Sequence, residues 1–434
     1  MSLKRLCRKA LEYALAVPFV LVTFPLAWLA GKTVKPGGQN GGKPRLVWGP
    51  APIINNKYWS GAMKAAGYDS TTFMLTYYGN INKKDDFDEY IADRLPRLPL
   101  FLKLPLLFWE SLWRFDVFVL PFHGWLLGRT VLWRLEAPLL HLAGKKILII
   151  PYGSDAYVYR DVRSISLQHG LLASYPAAAR QQEAIRKKVS YWARHADCIT
   201  PGVMGMDGIG RWDVLSVSPL CIDTGIWQAS GRRSQADGRR ETVYIAHTPN
   251  HTGFKGTEFL QDTIHQMQQE GLKVELLLIQ NKQNDEVRRI LQEDTDILVE
   301  QLIFTGHGIS AVEGMASNLP VISNLEDPTY TTVFRRYSFL NECPLVSAGP
   351  ETLAGQLYKL ITRPALRAEL GQAGRHYVEK YHSYPATIYN FESQLDYVYG
   401  RTQSLINLYH PLLGEYPKRA PKIVPPLIDN KIPD

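Results

Sequence analysis

Residues 242–280, "TVYIAHTPNHTGFKGTEFLQDTIHQMQQEGLKVELLLIQ", change their apolar spacing twice. The short run at 242–247 reads as a buried strand. Residues 257–271 then put Leu260, Ile264 and Met267 on one helical face, and 273–280 return to a strand. Strands joined through a helix lie parallel in one sheet, so this unit opens an α/β domain. The alternation continues with helices predicted at 285–294 and 310–318 and strands at 297–304 and 319–323. Four strands separated by helices make a doubly wound domain.

Working towards the N-terminus, "RLVWG" at 45–49 reads as a strand and "PAPIINNKYWSGAMKAAG" at 50–67 as a loop and a helix closed by Gly67. "STTFMLT" at 70–76, "FDVFVLPF" at 115–122 and "KKILIIPYGSD" at 145–155 are further strands. Ligands of open parallel sheets gather at the carboxyl ends of strands, which is where His123 and Asp155 fall. Helices over about 350–410 have the length to pack along both domains. The expected architecture is two Rossmann-like domains facing a cleft. Its segments are a membrane-associated stretch with a Gly-rich linker (1–44), an acceptor-side domain (45–222), a donor domain (223–385), and a crossover helix with tail (386–434).

The stretch 13–30, "YALAVPFVLVTFPLAWLA", carries no charge and lies between the basic clusters "KRLCRK" and "GKTVKPGGQNGGKPR". About 20 apolar residues span a bilayer. A membrane span and a shallow segment bent at Pro18 and Pro25 are both open, and a buried helix is the alternative that the basic flanks disfavour. A cleaved signal is disfavoured by Trp28 and Leu29, where small residues are wanted. The apolar, proline-broken stretch 94–115, "RLPRLPLFLKLPLLFWESLWRF", is either a second membrane-facing surface or an insertion packed on the core. The net charge of +8 in 434 residues suits an anionic lipid surface more than nucleic acid, since no basic and aromatic repeat recurs. Cys7, Cys198, Cys221 and Cys343 have no paired spacing, which argues against a disulfide framework or a zinc knuckle and for a reducing compartment.

Lys255 follows the first strand of the second domain, and Gly256 and Thr257 open a helix whose free N–H groups favour an anion. In "TGHGISAVEGMASNLPVIS", 305–323, Gly306 and Gly308 let the backbone approach a ligand, and the helix starting near Ser310 points back at the same cleft. Glu313, one turn in, can accept both hydroxyls of a ribose. Together these groups describe a nucleoside diphosphate site. Taken singly, Lys255 reads equally as a solvated loop charge that adds little to stability, and Glu313 as a residue favoured by the helix dipole.

These residues resemble the donor domain of the GT-B glycosyltransferases, of the retaining kind related to family 4. "KG" at 255–256, after the first strand, and "G…EGMASNLPVI", ending at 322, are the matching elements. The likeness covers about 240–325 well and the N-terminal half more loosely, through "FDVFVLPFHG", "GKKILIIPYGSDAY", "HADCITPG" and "LSVSPLCIDTGIW". By that resemblance Lys255 neutralises the donor diphosphate, Glu313 holds the ribose, and His123 and Asp155 face the acceptor and the reacting sugar. The chain departs from the pattern at Thr305, where a second glutamate is common, at Asn250, where many members have arginine, and at Tyr152, where a histidine is usual. His247, His251 or His307 could substitute for the missing charge, and each taken singly reads rather as an ordinary polar loop residue. The resemblance implies transfer from a nucleotide sugar to a lipid-linked or growing surface glycan, with retention, at the cytoplasmic face of a bacterial inner membrane. No metal or cofactor is implied. A non-catalytic GT-B-like assembly protein is the alternative for which Thr305 and Asn250 speak. A nucleotide-sugar epimerase of the same fold is disfavoured by the hydrophobic N-terminus.

Overall fold

The computed structural model describes the chain apart from residues 1–2, 35–36, 38–41, 80, 202–206, 217–218, 230–233 and 434, and apart from the side chains of 3–13 and 15. The side chains of the basic cluster with Cys7, and most of the Gly-rich linker, therefore lie outside what is described.

Two parallel sheets form the frame. The first comprises β1 (Leu46–Trp48), β2 (Ser70–Met74), β3 (Glu89–Tyr90), β4 (Val117–Leu120), β5 (Lys146–Ile149) and β6 (Cys198–Ile199), in the order β3-β2-β1-β4-β5-β6. The second comprises β7 (Val243–His247), β8 (Val274–Leu278), β9 (Ile297–Gln301), β10 (Val321–Ser323) and β11 (Val346–Ser347), in the order β11-β10-β9-β7-β8. The sequence reading names four strands in the second domain. The fifth, β11, pairs at only two positions, Ile322 with Val346 and Ser323 with Ser347, too short a run to register as periodicity. β3 and β6 escape notice for the same reason.

Strand order reverses between β1 and β4 in one sheet and between β7 and β9 in the other. At such a switch point the loops leave in opposite directions and open a crevice. The loops after β4, β7 and β9 carry His123, Lys255 and Gly308, so topology alone sets the candidate residues around crevices. The C-terminal helix Tyr384–Val398 returns to the first domain and packs on the helix Ile54–Ala65. Phe391 meets Trp48 edge-on, their ring centroids 4.8 Å apart. The buried cluster around that contact runs on to Leu298 and Met315 of the second domain, so one apolar core joins the two sheets.

The N-terminal helix Leu3–Thr33 is continuous through Pro18 and Pro25. Its stretch Ala16–Thr33 is long and apolar enough by length and composition to cross a membrane. Phe19, Thr23, Ala27 and Ala30, spaced along one face, are buried against the helices Leu100–Arg114 and Glu136–Leu142. Phe19 stacks on Trp109 at 5.6 Å, and the Trp109 indole donates to the Thr23 hydroxyl at 2.7 Å. The opposite face leaves Leu21 69% and Trp28 55% exposed. The segment is thus neither free nor a core helix: a narrow stripe docks it and a broad apolar face stays uncovered. Leu100–Arg114 is mainly core, with Leu104, Leu107, Phe108 and Leu112 buried, which answers to the packed-insertion reading of 94–115.

If the uncovered face is the membrane contact, Leu21→Glu with Trp28→Glu abolishes sedimentation with liposomes while thermal stability stays within about 0.5 kcal/mol of the parent, as for exposed positions. Ala27→Leu, on the docked stripe, costs about 1–3 kcal/mol by overpacking. Liposome pelleting and thermal melts of the three proteins separate the faces, and equal pelleting by all three makes the exposed stripe irrelevant to membranes.

Candidate active site

β7 ends at His247, which is wholly buried. Its Nδ1 lies 2.7 Å from the Val299 carbonyl and its Nε2 2.9 Å from the Thr257 hydroxyl. A carbonyl only accepts, so Nδ1 carries the proton and Nε2 accepts from Thr257. Burial lowers the imidazole pKa to about 4, keeping it neutral. His247 therefore ties β7, β9 and the start of the helix Thr257–Gln269 together. As a source of replacement charge, the role the sequence left open for it, His247 is spent.

Between strand and helix, residues Thr252–Lys255 make a single helical turn that Gly256 ends at φ +71°. A Cβ there would lie 3.0 Å from Leu302 Cβ, so only glycine turns the chain this tightly against β9. The turn sends Lys255 inward. Its ammonium pairs with Glu300 and donates to Gln301 Oε1 at 3.1 Å. Lys255 is 7% exposed, which removes the solvated-loop reading and the small stability role that went with it. Glu300 also accepts from the Ser323 hydroxyl at 3.1 Å and the Gly308 N–H at 3.3 Å.

The loop after β9 closes over that pair. A Cβ on Gly308 would stand 3.0 Å from Glu300 Oε1 and 3.8 Å from Lys255 Nζ, so the missing side chain is what lets the loop sit there. Gly306, at φ +127°, donates its N–H to Asn324 and its carbonyl accepts from Ser323 and Gln301. Its backbone is committed to the protein. The helix Ile309–Ala316 begins beyond, with Gly308, Ile309 and Ser310 on the cavity wall. Glu313 is 4% exposed and accepts from Asn284 Nδ2 at 2.9 Å; burial raises its pKa to about 7. Asn284 Oδ1 lies 3.5 Å from the Tyr58 hydroxyl, which also receives the Trp227 indole N–H at 3.2 Å. A polar chain thus runs from Glu313 to the first domain.

On that domain Asp155 accepts the N–H groups of Phe122, Tyr152 and Gly153 at 2.9, 3.0 and 3.0 Å. It braces the loops after β4 and β5, and burial raises its pKa to about 6. His123 Nδ1 lies 3.0 Å from the Tyr152 hydroxyl. Its pKa falls to about 4 through burial, with Lys188 and Arg129 adding to the effect. Tyr152, the departure from the usual histidine, is the residue that reaches the cavity wall with His123 behind it.

The cavity between the domains measures about 430 Å³ and is walled by Tyr152 and Tyr175 on one side and Asn250, Lys255, His307 and Glu313 on the other. His123, Asp155, His251, Gly256 and Gly306 stand outside that wall. The His251 ring lies against Tyr175 with centroids 4.3 Å apart and the planes tilted by 52°, and burial lowers its pKa. His307 is buried at the wall with neither ring nitrogen hydrogen-bonded in good geometry, and burial lowers its pKa to about 4. Three residues of this site went unread in the sequence: Glu300, Asn284 and Tyr58. A glutamate inside the apolar run "ILVEQLIF" is the signal that could have found the first.

Residues 253–377, which hold Lys255, Glu300 and Glu313, match the family described as Glycosyl transferases group 1. The chain is a glycosyltransferase. No curated protein matches it in sequence. Among solved structures, an alpha-glucosyltransferase in complex with UDP and DNA is similar at TM-score 0.50 and 9% identity, with 82% of this chain and 100% of that one covered. The C-terminal domain of a glycosyl transferase group 1 family protein from Francisella tularensis is similar at TM-score 0.28 and 17% identity, covering 37% of this chain and 98% of that one. A UDP-glucosyltransferase from Polygonum tinctorium is similar at TM-score 0.42 and 10% identity, over 83% and 100%. At TM-score 0.50 the first of these supports two facing α/β domains of the GT-B type, and identity this low speaks to the fold alone.

Lys255→Ala strands a buried carboxylate, which costs about 3–5 kcal/mol. Lys255→Ala combined with Glu300→Gln recovers a large part of that loss, because the neutral amide needs no counter-charge. Urea unfolding of the two single variants and the double variant measures the coupling, and strictly additive losses would show that the pair does not act as a unit.

Proposed function

We propose that this glycosyltransferase takes a sugar from a nucleotide-sugar donor and transfers it, with retention, to a lipid-linked or growing surface glycan at the cytoplasmic face of a membrane. The observation that carries the reading is the meeting of Glu313, Lys255 and the N-terminus of Ile309–Ala316 at one wall of the cavity that the two sheets enclose. A ribose on Glu313 directs the diphosphate towards Lys255 and the helix end, where N–H groups and dipole favour the anion. The sugar then points at Tyr152 across the cavity, and the acceptor enters from that side.

Lys255 does not meet the diphosphate as a bare cation. Glu300 already balances it, so the pair presents N–H donors with little net charge, and His307 beside it is a neutral imidazole. Donor phosphates are therefore held through directed hydrogen bonds and helix ends rather than through excess positive charge. The carboxylate on the cavity wall, Glu313, stands at the nucleoside end, and Asp155 is turned to backbone N–H groups. Retention accordingly proceeds without a carboxylate nucleophile at the sugar. His123, neutral near pH 7, positions the Tyr152 hydroxyl or takes up a proton through it. Charge on the diphosphate is met by Lys255 and the helix N-terminus, with no cofactor required.

Incubation with a panel of radiolabelled nucleotide sugars and a membrane extract tests the reading, and transfer of no label from any of them overturns it. Glu313 supplies a pH test with a fixed sign. With a pKa of about 7 its carboxyl is protonated at low pH and gains acceptor strength as it ionises. Between pH 6 and pH 8 the ionised fraction rises from about one tenth to about nine tenths. Nucleoside affinity, measured by calorimetry, therefore strengthens by up to about ten-fold across that range, while Glu313→Gln is flat. A parent as flat as the variant removes Glu313 from the ribose. His123→Ala lowers kcat/KM for transfer by about 10- to 100-fold with donor Kd unchanged. Equal losses in both make His123 a structural residue only.

A further inference from the structure

A second cavity, about 620 Å³ and mostly apolar, lies between the N-terminal helix Leu3–Thr33 and the helix Leu100–Arg114. Phe19, Val22, Leu75, Leu104, Trp109 and Leu132 line it, and Phe19 and Trp109 are the stacked pair that docks the N-terminal helix. Arg129 also lines it. Among the described residues this arginine is exposed and has no ion pair, whereas nearby Lys188 is committed to the Gly128 carbonyl at 2.7 Å. The turn that carries Arg129 is fixed from below, because the buried Glu136 accepts the N–H groups of Leu127 and Gly128 at 2.6 and 3.2 Å. Arg129 is close enough to act electrostatically on both His123 and Tyr152, the pair at the acceptor side of the active-site cavity. The two cavities also share one segment of chain: Leu75 lines the apolar groove, and Tyr78, three residues on, lines the active-site cavity.

An apolar slot with an unpaired guanidinium between it and a sugar-transfer site has the charge and shape of a phospholipid-like substrate seen end to end. We propose that the groove holds the hydrocarbon chain of a lipid-phosphate-linked acceptor, with Arg129 on its phosphate, so that the glycan end emerges beside Tyr152. This rests on the proposed lipid-linked acceptor and assigns it a seat. Each methylene taken from water into such a groove is worth about 0.8 kcal/mol, so the tail supplies affinity. The planar guanidinium fork fits phosphate oxygens in pairs, so Arg129 supplies register, fixing how far the head group protrudes towards the cavity.

The test uses the full-length protein and three probes: farnesyl phosphate, farnesol and inorganic phosphate. Binding is read by tryptophan fluorescence, with Trp109→Phe to show that the change arises in the groove. Farnesyl phosphate binds, farnesol binds about ten-fold more weakly for want of the charge-assisted contact, and inorganic phosphate does not compete. Arg129→Ala brings farnesyl phosphate down to the farnesol level and leaves farnesol unchanged. Val22→Trp, a half-exposed position on the groove wall, weakens both by about ten-fold or more. Thermal melts and calorimetric titration with the nucleotide sugar are run on each variant. Intact donor binding in variants that have lost farnesyl phosphate supports the seat, whereas a parent that binds no nucleotide sugar fails the proposed function instead. The proposal is overturned if Arg129→Ala keeps the preference for farnesyl phosphate over farnesol, or if Val22→Trp binds it as tightly as the parent. It also falls if Val22→Trp loses only binding to phosphatidylcholine–phosphatidylglycerol vesicles, which would make the groove a bilayer contact. Conversion of a dimer to a monomer by Val22→Trp, seen by sedimentation, would make it a self-association surface.

Discussion

The buried ion pair between Lys255 and Glu300 is the contact on which the cavity wall of the second domain is built. Two opposite charges out of water are tolerable only when the geometry is good and the remaining hydrogen-bonding capacity is met. Gln301, Ser323 and Gly308 meet it here. Those partners come from β9, β10 and the loop before Ile309–Ala316, so satisfying the pair fixes the relative positions of three consecutive elements. Gly256 and Gly308 are the steric conditions for it: one turns the lysine inward and the other lets the loop close above the carboxylate. Fixing that loop also fixes where the following helix begins, and thereby where Glu313 stands.

The same pair changes the electrostatic logic that the sequence suggested. A lone lysine at a helix start attracts a diphosphate by Coulomb force, and the departures at Thr305 and Asn250 looked like lost donors and charge around it. The structure substitutes a buried carboxylate from the preceding strand. It lies five residues before Thr305 in sequence, yet against Lys255 in space. A neutral pair exerts little long-range pull. Under the proposed function, affinity would then depend on the donor's shape matching fixed N–H groups, which is the preorganised form of anion recognition.

How far the sequence could be read follows from length and period. Long alternations such as 242–280 left little freedom, and strands, helices and their parallel order follow from them. Strands of two residues carry no period, so β3, β6 and β11 needed neighbours to become visible. The cavity-wall positions of Lys255 and Glu313 were legible because each lies shortly after a strand end, where topology opens crevices. Glu300, Asn284 and Tyr58 were not, because their importance arises from partners 45, 29 and 226 residues away in the chain. Asp155, a carboxylate at a strand end, suggests a group facing the sugar, and the fold has it accept three backbone N–H groups. The N-terminal helix fell between its two readings because hydropathy counts apolar residues without saying which face a neighbouring helix takes.

Glu313 carries the remaining tension in the site. A carboxyl whose folded pKa is about 7, against an ordinary value of 4.5, favours the folded state while protonated, and that contribution is lost as pH rises between the two values. Among the described residues the ionised form pairs with no cation and has one side-chain partner, the Asn284 amide. Under the proposed function, two ribose hydroxyls would meet the acceptor capacity that Asn284 leaves open. Asn284 is also within reach of Tyr58 on the opposite domain, so a change of charge on Glu313 bears on the contact that joins the two halves of the cleft. One hydrogen-bonded chain in this way links the carboxyl in the second domain to Tyr58 and Trp227 at the other end.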